Sequence, residues 1–314
     1  MKKILIVDNV HPYLVEQFES WGYLCETILN ISYNEFKNYI DEYEGLIIRS
    51  KFNIDKEAIV SKSNLKFIIR IGSGLEHIDT LFAEKKGIKV FSTPEGNASA
   101  VAEHCLGMVL VALRKIATAN QEVKNGEWLR DKNKGTELSS QTVGIIGFGN
   151  TGKAFAKLLK IFGCKILVFD KFKSGFSEPY IEEVSLDELL ERATVISLHI
   201  NYIPENHYFI NFSKLQKTKQ KPVFINTSRG LAVNTNDLIF AMDEDYISFA
   251  CLDVLEYENV NLQIPPKAEW GNTLARLTSN KKVLLTPHTA GQTHDSELKH
   301  AVIAIEKLKD FVVP

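Results

Sequence analysis

Cysteine is scarce in this sequence, charge of either sign is not in excess, and long apolar runs are missing. Each shortage removes a class of protein. The four cysteines, Cys25, Cys105, Cys164 and Cys251, are scattered without close pairing, so neither a disulfide framework nor a metal cluster is expected, and a cytoplasmic location is. Lys plus Arg total 37 against 39 Asp plus Glu, a net charge of -2. That balance gives no global field toward nucleic acid or an anionic membrane, so any bound anion must be held by local groups. The apolar run at 4–7 stops at Asp8, too short for a signal-peptide core. The most apolar helical stretch, 101–113, is interrupted by Glu103, His104 and Gly107 and falls short of the roughly 20 residues of a membrane span.

What is present is a chain of 314 residues, 45% hydrophobic, long enough for one large or two medium cores. Short β-branched runs alternate with amphipathic segments, the pattern of parallel βαβ units. One series of strands is predicted at 4–7, 24–28, 46–48, 67–71 and 89–91. A second is predicted at 143–146, 165–169, 195–198, 223–226, 249–252 and 283–285. Between them, 97–123 reads as one long helix followed by a polar arm to Thr136, where a domain boundary belongs. Residues 293–313 read as a last helix.

The sharpest motif is Gly147-Phe148-Gly149-Asn150-Thr151-Gly152, directly after a predicted strand and before a helical pattern at 153–162. Glycine at these spacings permits a tight turn, a close approach to a pyrophosphate and close helix–strand packing, with the phosphates at the helix N-terminus. The next strand ends in Asp170, the place for an acid that binds a ribose 2′-hydroxyl, which favours NAD over NADP. Lys171 and Lys173 pull the other way. A methyltransferase-type nucleoside loop is the alternative.

Hydride transfer to a ketone needs a cation beside the substrate and an acid that protonates the alkoxide. Three strand ends of the second series offer such groups. Asn226-Thr227-Ser228-Arg229-Gly230 presents a guanidinium fork suited to a carboxylate. The segment 252–258 offers Asp253, Glu256 and Glu258, and Pro287-His288 places a histidine at a strand tip. A histidine paired with one of those acids would have its proton affinity raised near neutral pH. The other seven histidines are read as structural.

Taken in order, Arg49-Ser50, the run Arg70-Ile71-Gly72-Ser73-Gly74-Leu75-Glu76-His77-Ile78-Asp79, Thr93 to Asn97, Val101 to His104, Gly126-Glu127-Trp128, the glycine motif, Asn226 to Gly230, Leu252 to Glu258 and Pro287 to Gly291 are specific. Through them the sequence resembles the D-isomer-specific 2-hydroxyacid dehydrogenase family nearly end to end. The resemblance implies an α/β fold of two Rossmann-like domains. A discontinuous, flavodoxin-like substrate domain (1–97 and 292–314) would accompany a doubly wound NAD-binding domain (98–291).

It further implies a catalytic triad: Arg229 binding and polarising the substrate, His288 moving the proton, and Glu258 raising the proton affinity of His288. Cofactor contacts would fall on Ser73, Gly147, Gly149, Asn150, Thr151, Gly152, Asp170, Ile200, Thr227, Ser228, Asp253 and Gly291. Ser73 and Gly74 would also bind the substrate carboxylate, and Arg49 and Arg70 a distal phosphate. The implied reaction is NAD-dependent oxidation of 3-phospho-D-glycerate to 3-phosphohydroxypyruvate, in serine biosynthesis. Hydroxypyruvate or glyoxylate reduction is the alternative within the same chemistry, and an NAD-sensing binding module the alternative outside it. A homodimer is implied, with the helix and the arm around Trp128 embracing the partner and Arg130 within reach of its site.

The sequence departs from the family pattern in places. Asn201 and Asn259 stand where proline is usual, and the segment between Glu258 and His288 is longer than is common. That extra loop is expected near the cleft or the dimer surface. Because the chain ends soon after the last helix, serine feedback through an appended domain is not expected.

Overall fold

The computed structural model describes residues 2–59 and 64–312, so Val313, the end of the last predicted helix, lies outside the described residues. Contacts divide the chain into two units: residues 1–97, 259–263 and 292–314 form one, and residues 98–258 and 264–291 the other.

The first unit is built on five parallel strands, β1 (Lys2–Ile6), β2 (Tyr23–Thr27), β3 (Gly45–Ile48), β4 (Phe67–Arg70) and β5 (Lys89–Ser92), in the order β2-β1-β3-β4-β5. This is the flavodoxin-like order. Along β1 the side chains alternate between two cores: Ile4 and Ile6 face one layer of helices and Leu5, with Val7 just beyond the strand, the other. Both faces are covered, which is why these strands read as continuous apolar runs. The last helix, His294–Val312, returns to this unit and buries Ala301, Ala304, Ile305 and Leu308 against Ile4, Ile6, Phe18 and Phe67. Periodicity leaves its packing partner open; an apolar stripe at helical spacing identifies a buried face but not what it packs against.

The second unit holds seven parallel strands: β6 (Thr142–Ile146), β7 (Lys165–Phe169), β8 (Glu182–Glu183), β9 (Val195–Leu198), β10 (Val223–Asn226), β11 (Phe249–Leu252) and β12 (Val283–Leu285). Their order is β12-β11-β10-β9-β6-β7-β8. The chain turns outward in both directions from β6, which makes its carboxyl end the topological switch point where ligands bind in open α/β sheets. The charged two-residue strand β8 carries no apolar signal, and the sequence pattern does not show it.

The long helix expected over 97–123 is two helices, Ala98–Leu113 and Ile116–Lys124. Lys115 between them is left-handed, with φ of 54°. The Leu113 carbonyl, which a continuous helix would use internally, instead accepts the backbone N–H of Thr136 in the returning arm, at 3.0 Å. The break is made by a distant segment, so a local pattern could not reveal it. Among the described residues, no helix is long and apolar enough to cross a membrane.

Phe67 is 1% exposed and stands within an aromatic cluster of Phe18, Tyr23 and Phe311. Phe67→Ala is expected to lower the unfolding free energy by about 3–5 kcal/mol through lost burial and the cavity left behind, read as a fall in the urea midpoint.

Candidate active site

After β6 the chain turns sharply at Gly147, whose φ of 97° is open to glycine and little else. A side chain there would meet the His199 carbonyl at 2.5 Å, and one at Gly152 would meet the Gly147 carbonyl at 2.1 Å. The helix Asn150–Leu159 therefore begins in tight contact with the strand end. Its N-cap is Gly149, with no side-chain cap, and a methyl group built there would meet nothing within 4 Å. Unpaired backbone N–H groups thus face open space at the positive end of a helix, a cradle that fits a pyrophosphate. Asn150 is exposed and Thr151 half-buried in the first turn.

Asp170 follows β7. Its Oδ2 accepts the Phe148 N–H at 2.6 Å, and its Oδ1 accepts those of Phe172 and Lys173. The carboxylate is locked against the glycine loop. Ile200 follows β9, half-buried, while Thr227 and Ser228 are buried after β10. Thr227 Oγ1 lies 3.1 Å from Cys105 Sγ.

The catalytic candidates come from the ends of three neighbouring strands. After β10, Asn226 Oδ1 accepts the Ser228 N–H and its Nδ2 donates to the Arg229 carbonyl, fixing the turn that presents Arg229. Gly230 lets this turn press against the loop after β11, since a side chain at Gly230 would lie 2.1 Å from Leu255 backbone atoms. In that second loop, Glu258 Oε1 accepts the Leu255 N–H at 2.6 Å and Oε2 meets His288 Nδ1 at 2.5 Å. A carboxylate only accepts, so Nδ1 carries the hydrogen and Nε2 is the nitrogen available for proton exchange. Glu256 is engaged elsewhere, accepting from Tyr208 Oη and from the Thr235 N–H.

His288 sits at a left-handed position, φ 54°. Asp253, 1% exposed, holds it there. Its Oδ1 accepts from Thr286 Oγ1 (2.5 Å) and the Thr289 N–H (2.9 Å), its Oδ2 from the Ala290 N–H (2.9 Å), and its carbonyl from the His288 N–H (2.8 Å). Gly291 follows directly, half-buried.

Arg49, Arg70, Ser73 and Gly74 belong to the first unit, at the ends of β3 and β4. Asp8 Oδ2 accepts the backbone N–H groups of Arg49 and Ser50, and Ser73 Oγ lies 3.2 Å from Asn97 Oδ1. Residues 259–263 of the extra loop also group with this unit. The Asn261 amide nitrogen can donate to the carbonyls of Lys51 (2.8 Å) and Ser50 (3.2 Å).

Two histidines expected to be structural take part in these networks. His104 Nε2 lies 3.0 Å from Thr286 Oγ1. The Thr286 hydroxyl donates its hydrogen to Asp253, so His104 must be the donor to it. His199, 7% exposed, bridges Ser197 Oγ (2.8 Å) and Thr151 Oγ1 (3.2 Å), tying β9 to the first turn of the cofactor helix. Thr286 and Thr151 lie 182 and 48 residues from their histidines, so spacing alone gives no signal for these bonds.

Fold and glycine loop together define a two-domain dinucleotide-binding α/β protein. Residues 106–290 match the family model described as D-isomer specific 2-hydroxyacid dehydrogenase, NAD binding domain. The chain is 32% identical to D-3-phosphoglycerate dehydrogenase of Synechocystis sp. over 100% of its own length and 54% of that protein's. It is 34% identical to hydroxypyruvate reductase of Thermotoga maritima, covering 88% of this chain and 87% of the relative. D-lactate dehydrogenase of Aquifex aeolicus, solved with NAD and lactic acid, superposes with a TM-score of 0.83 at 27% identity over 99% of this chain and 95% of that one. The chain belongs to the D-isomer-specific 2-hydroxyacid dehydrogenase family, and its cofactor is NAD. It spans about half the length of the phosphoglycerate dehydrogenase from Synechocystis.

Asp170→Ser is expected to raise kcat/KM for NADPH relative to NADH by about tenfold, about 1.4 kcal/mol, by removing a charge that repels a 2′-phosphate. Burial pushes the His199 pKa from 6.5 down to about 4. Between those values the unfolded chain binds a proton that the folded chain does not, so stability rises with pH across this window and is lost as pH falls through it. The urea midpoint should drop from pH 7 to pH 5, and His199→Gln should flatten that drop.

Proposed function

We propose that this protein is an NAD-dependent D-2-hydroxyacid dehydrogenase. The 2.5 Å pair of His288 and Glu258, at a strand end beside the Arg229 turn, carries the reading. The loop Gly147–Gly152, Asp170, Thr227, Ser228 and Asp253 would hold NAD, which would supply the hydride acceptor. Arg229 binds the substrate carboxylate and the oxygen on C2 through its guanidinium fork, a geometry a lysine would not reproduce. In oxidation His288 Nε2 takes the hydroxyl proton as the C2–H bond is broken and the carbonyl forms. Glu258 balances the charge that the imidazole then acquires. Reduction reverses each transfer, with protonated His288 delivering the proton to the forming alcohol.

For the substrate we propose 3-phospho-D-glycerate, oxidised to 3-phosphohydroxypyruvate in serine biosynthesis, in the cytoplasm. Arg49 and Arg70, at the ends of the adjacent strands β3 and β4, would take the distal phosphate, and Ser73 and Gly74 the carboxylate. A second reading, reduction of hydroxypyruvate or glyoxylate, is favoured by one observation: Arg49 Nη1 already has a carboxylate partner, Glu297 Oε1, at 3.5 Å. A homodimer through the second unit is supported by exposed apolar side chains on one segment, Ile116 (51%), Val123 (50%) and Trp128 (76%).

His288→Asn is expected to lower kcat by about 100-fold or more with little effect on NADH affinity, as for loss of a general acid–base group. A panel of 3-phosphohydroxypyruvate, hydroxypyruvate, glyoxylate, pyruvate and 2-oxoglutarate with NADH tests the substrate. Turnover of none of them by pure protein that binds NADH would refute the enzyme reading. A light-scattering mass of one chain would refute the dimer.

A further inference from the structure

The last helix carries two residues, one turn apart, toward the arginines of the first unit. Its first turn is fixed by reciprocal bonds: Ser296 N–H donates to Thr293 Oγ1 and Thr293 N–H to Ser296 Oγ, both at 3.0 Å. Glu297 follows at once, with Oε1 3.5 Å from Arg49 Nη1. His300 comes one turn later, 5% exposed, its Nδ1 2.7 Å from Thr93 Oγ1. That hydroxyl also accepts the Gly72 N–H at 2.9 Å, at the start of the loop that bears Ser73 and Gly74. Burial, then the positive fields of Arg70 and Arg49, push the His300 pKa down to about 4, with Glu297 opposing them. All three charges therefore act at one place. Near neutral pH that place holds two arginines, a neutral imidazole and the Glu297 carboxylate, and beside it the Asp8 carboxylate accepts the backbone N–H groups of Arg49 and Ser50.

We propose that Glu297 is a specificity-determining residue, whose carboxylate competes with the distal phosphate of a substrate for Arg49. The inference rests on the reading of Arg49 as a distal-group ligand. A phosphate dianion arriving at Arg49 must displace Glu297 or remain beside a like charge, and either lowers its affinity. An uncharged distal group, such as the hydroxymethyl of hydroxypyruvate, meets no such opposition. Glu297 is half-exposed, with 48% of its side chain open to solvent, so it can swing aside and weakens phosphate binding without abolishing it. It acts through Arg49 and touches none of the reacting atoms.

The test compares kcat/KM for 3-phosphohydroxypyruvate and for hydroxypyruvate, with NADH, in the parent chain, Glu297→Gln, Arg49→Ala and the double variant. Glu297→Gln is expected to raise the ratio of the phosphorylated to the unphosphorylated substrate by about tenfold. The change should fall on KM of the phosphorylated substrate, and Arg49→Ala should lower the ratio. In the double variant the effect of Glu297→Gln should vanish, since its target is gone. Glu297→Ala provides a second removal of the charge should the glutamine find a new partner. A ratio unmoved by either Glu297 variant, with Arg49→Ala still lowering it, overturns this inference and leaves the phosphate reading standing. A ratio unmoved by Arg49→Ala overturns the phosphate reading itself.

Discussion

The buried carboxylate of Asp253 is the constraint on which the catalytic end depends. A carboxylate 1% exposed is costly unless its lone pairs are met by donors. Here the donors are Thr286, Thr289 and Ala290, all from the loop that carries His288. Those bonds and the one from the His288 N–H to the Asp253 carbonyl hold the histidine backbone in a left-handed conformation that a loop alone would seldom adopt. With the backbone so placed, Nδ1 reaches Glu258, and the ring has one orientation and one tautomer. Further along the same network, His104 donates to Thr286, so a helix of the second unit is also tied to the histidine loop.

The cofactor end follows a different economy. The glycine loop offers unpaired backbone N–H groups and open space, and its rigidity comes from neighbours. Asp170 grips Phe148, and His199 links β9 to Thr151. An anion at this loop would be met by local dipoles, and the chain's net charge of -2 offers no global field in their place. Both ends lie on the carboxyl edge of one parallel sheet, so a single unit carries the glycine loop and the His288–Glu258 pair.

Much of this is legible in the sequence. Every strand but β8 can be read as an apolar run, because a parallel sheet covered on both faces leaves little polar alternation to obscure it, whereas β8, charged and two residues long, leaves no trace. The glycine motif and Asp170 are readable because their chemistry is local. His104 and His199 are not, because a hydrogen bond between residues distant in sequence has no periodicity. The helix break at Lys115 is hidden for the same reason, being made by Thr136 on the returning arm.

The sequence by itself determined the fold class, the cofactor loop and a short set of acids from which a partner for His288 had to come. Spacing left Asp253, Glu256 and Glu258 open, and only the family resemblance singled out Glu258. In the folded chain each acid has a separate role, since Asp253 holds the loop, Glu256 binds Tyr208 and Thr235, and Glu258 binds His288. Only the tertiary structure also decided that the last helix packs on the first sheet and brings Glu297 to Arg49. The reason is the same in both cases. Local sequence sets what a segment can become and which groups it carries, but a hydrogen bond or ion pair across the chain exists only once packing has set the distance between its partners.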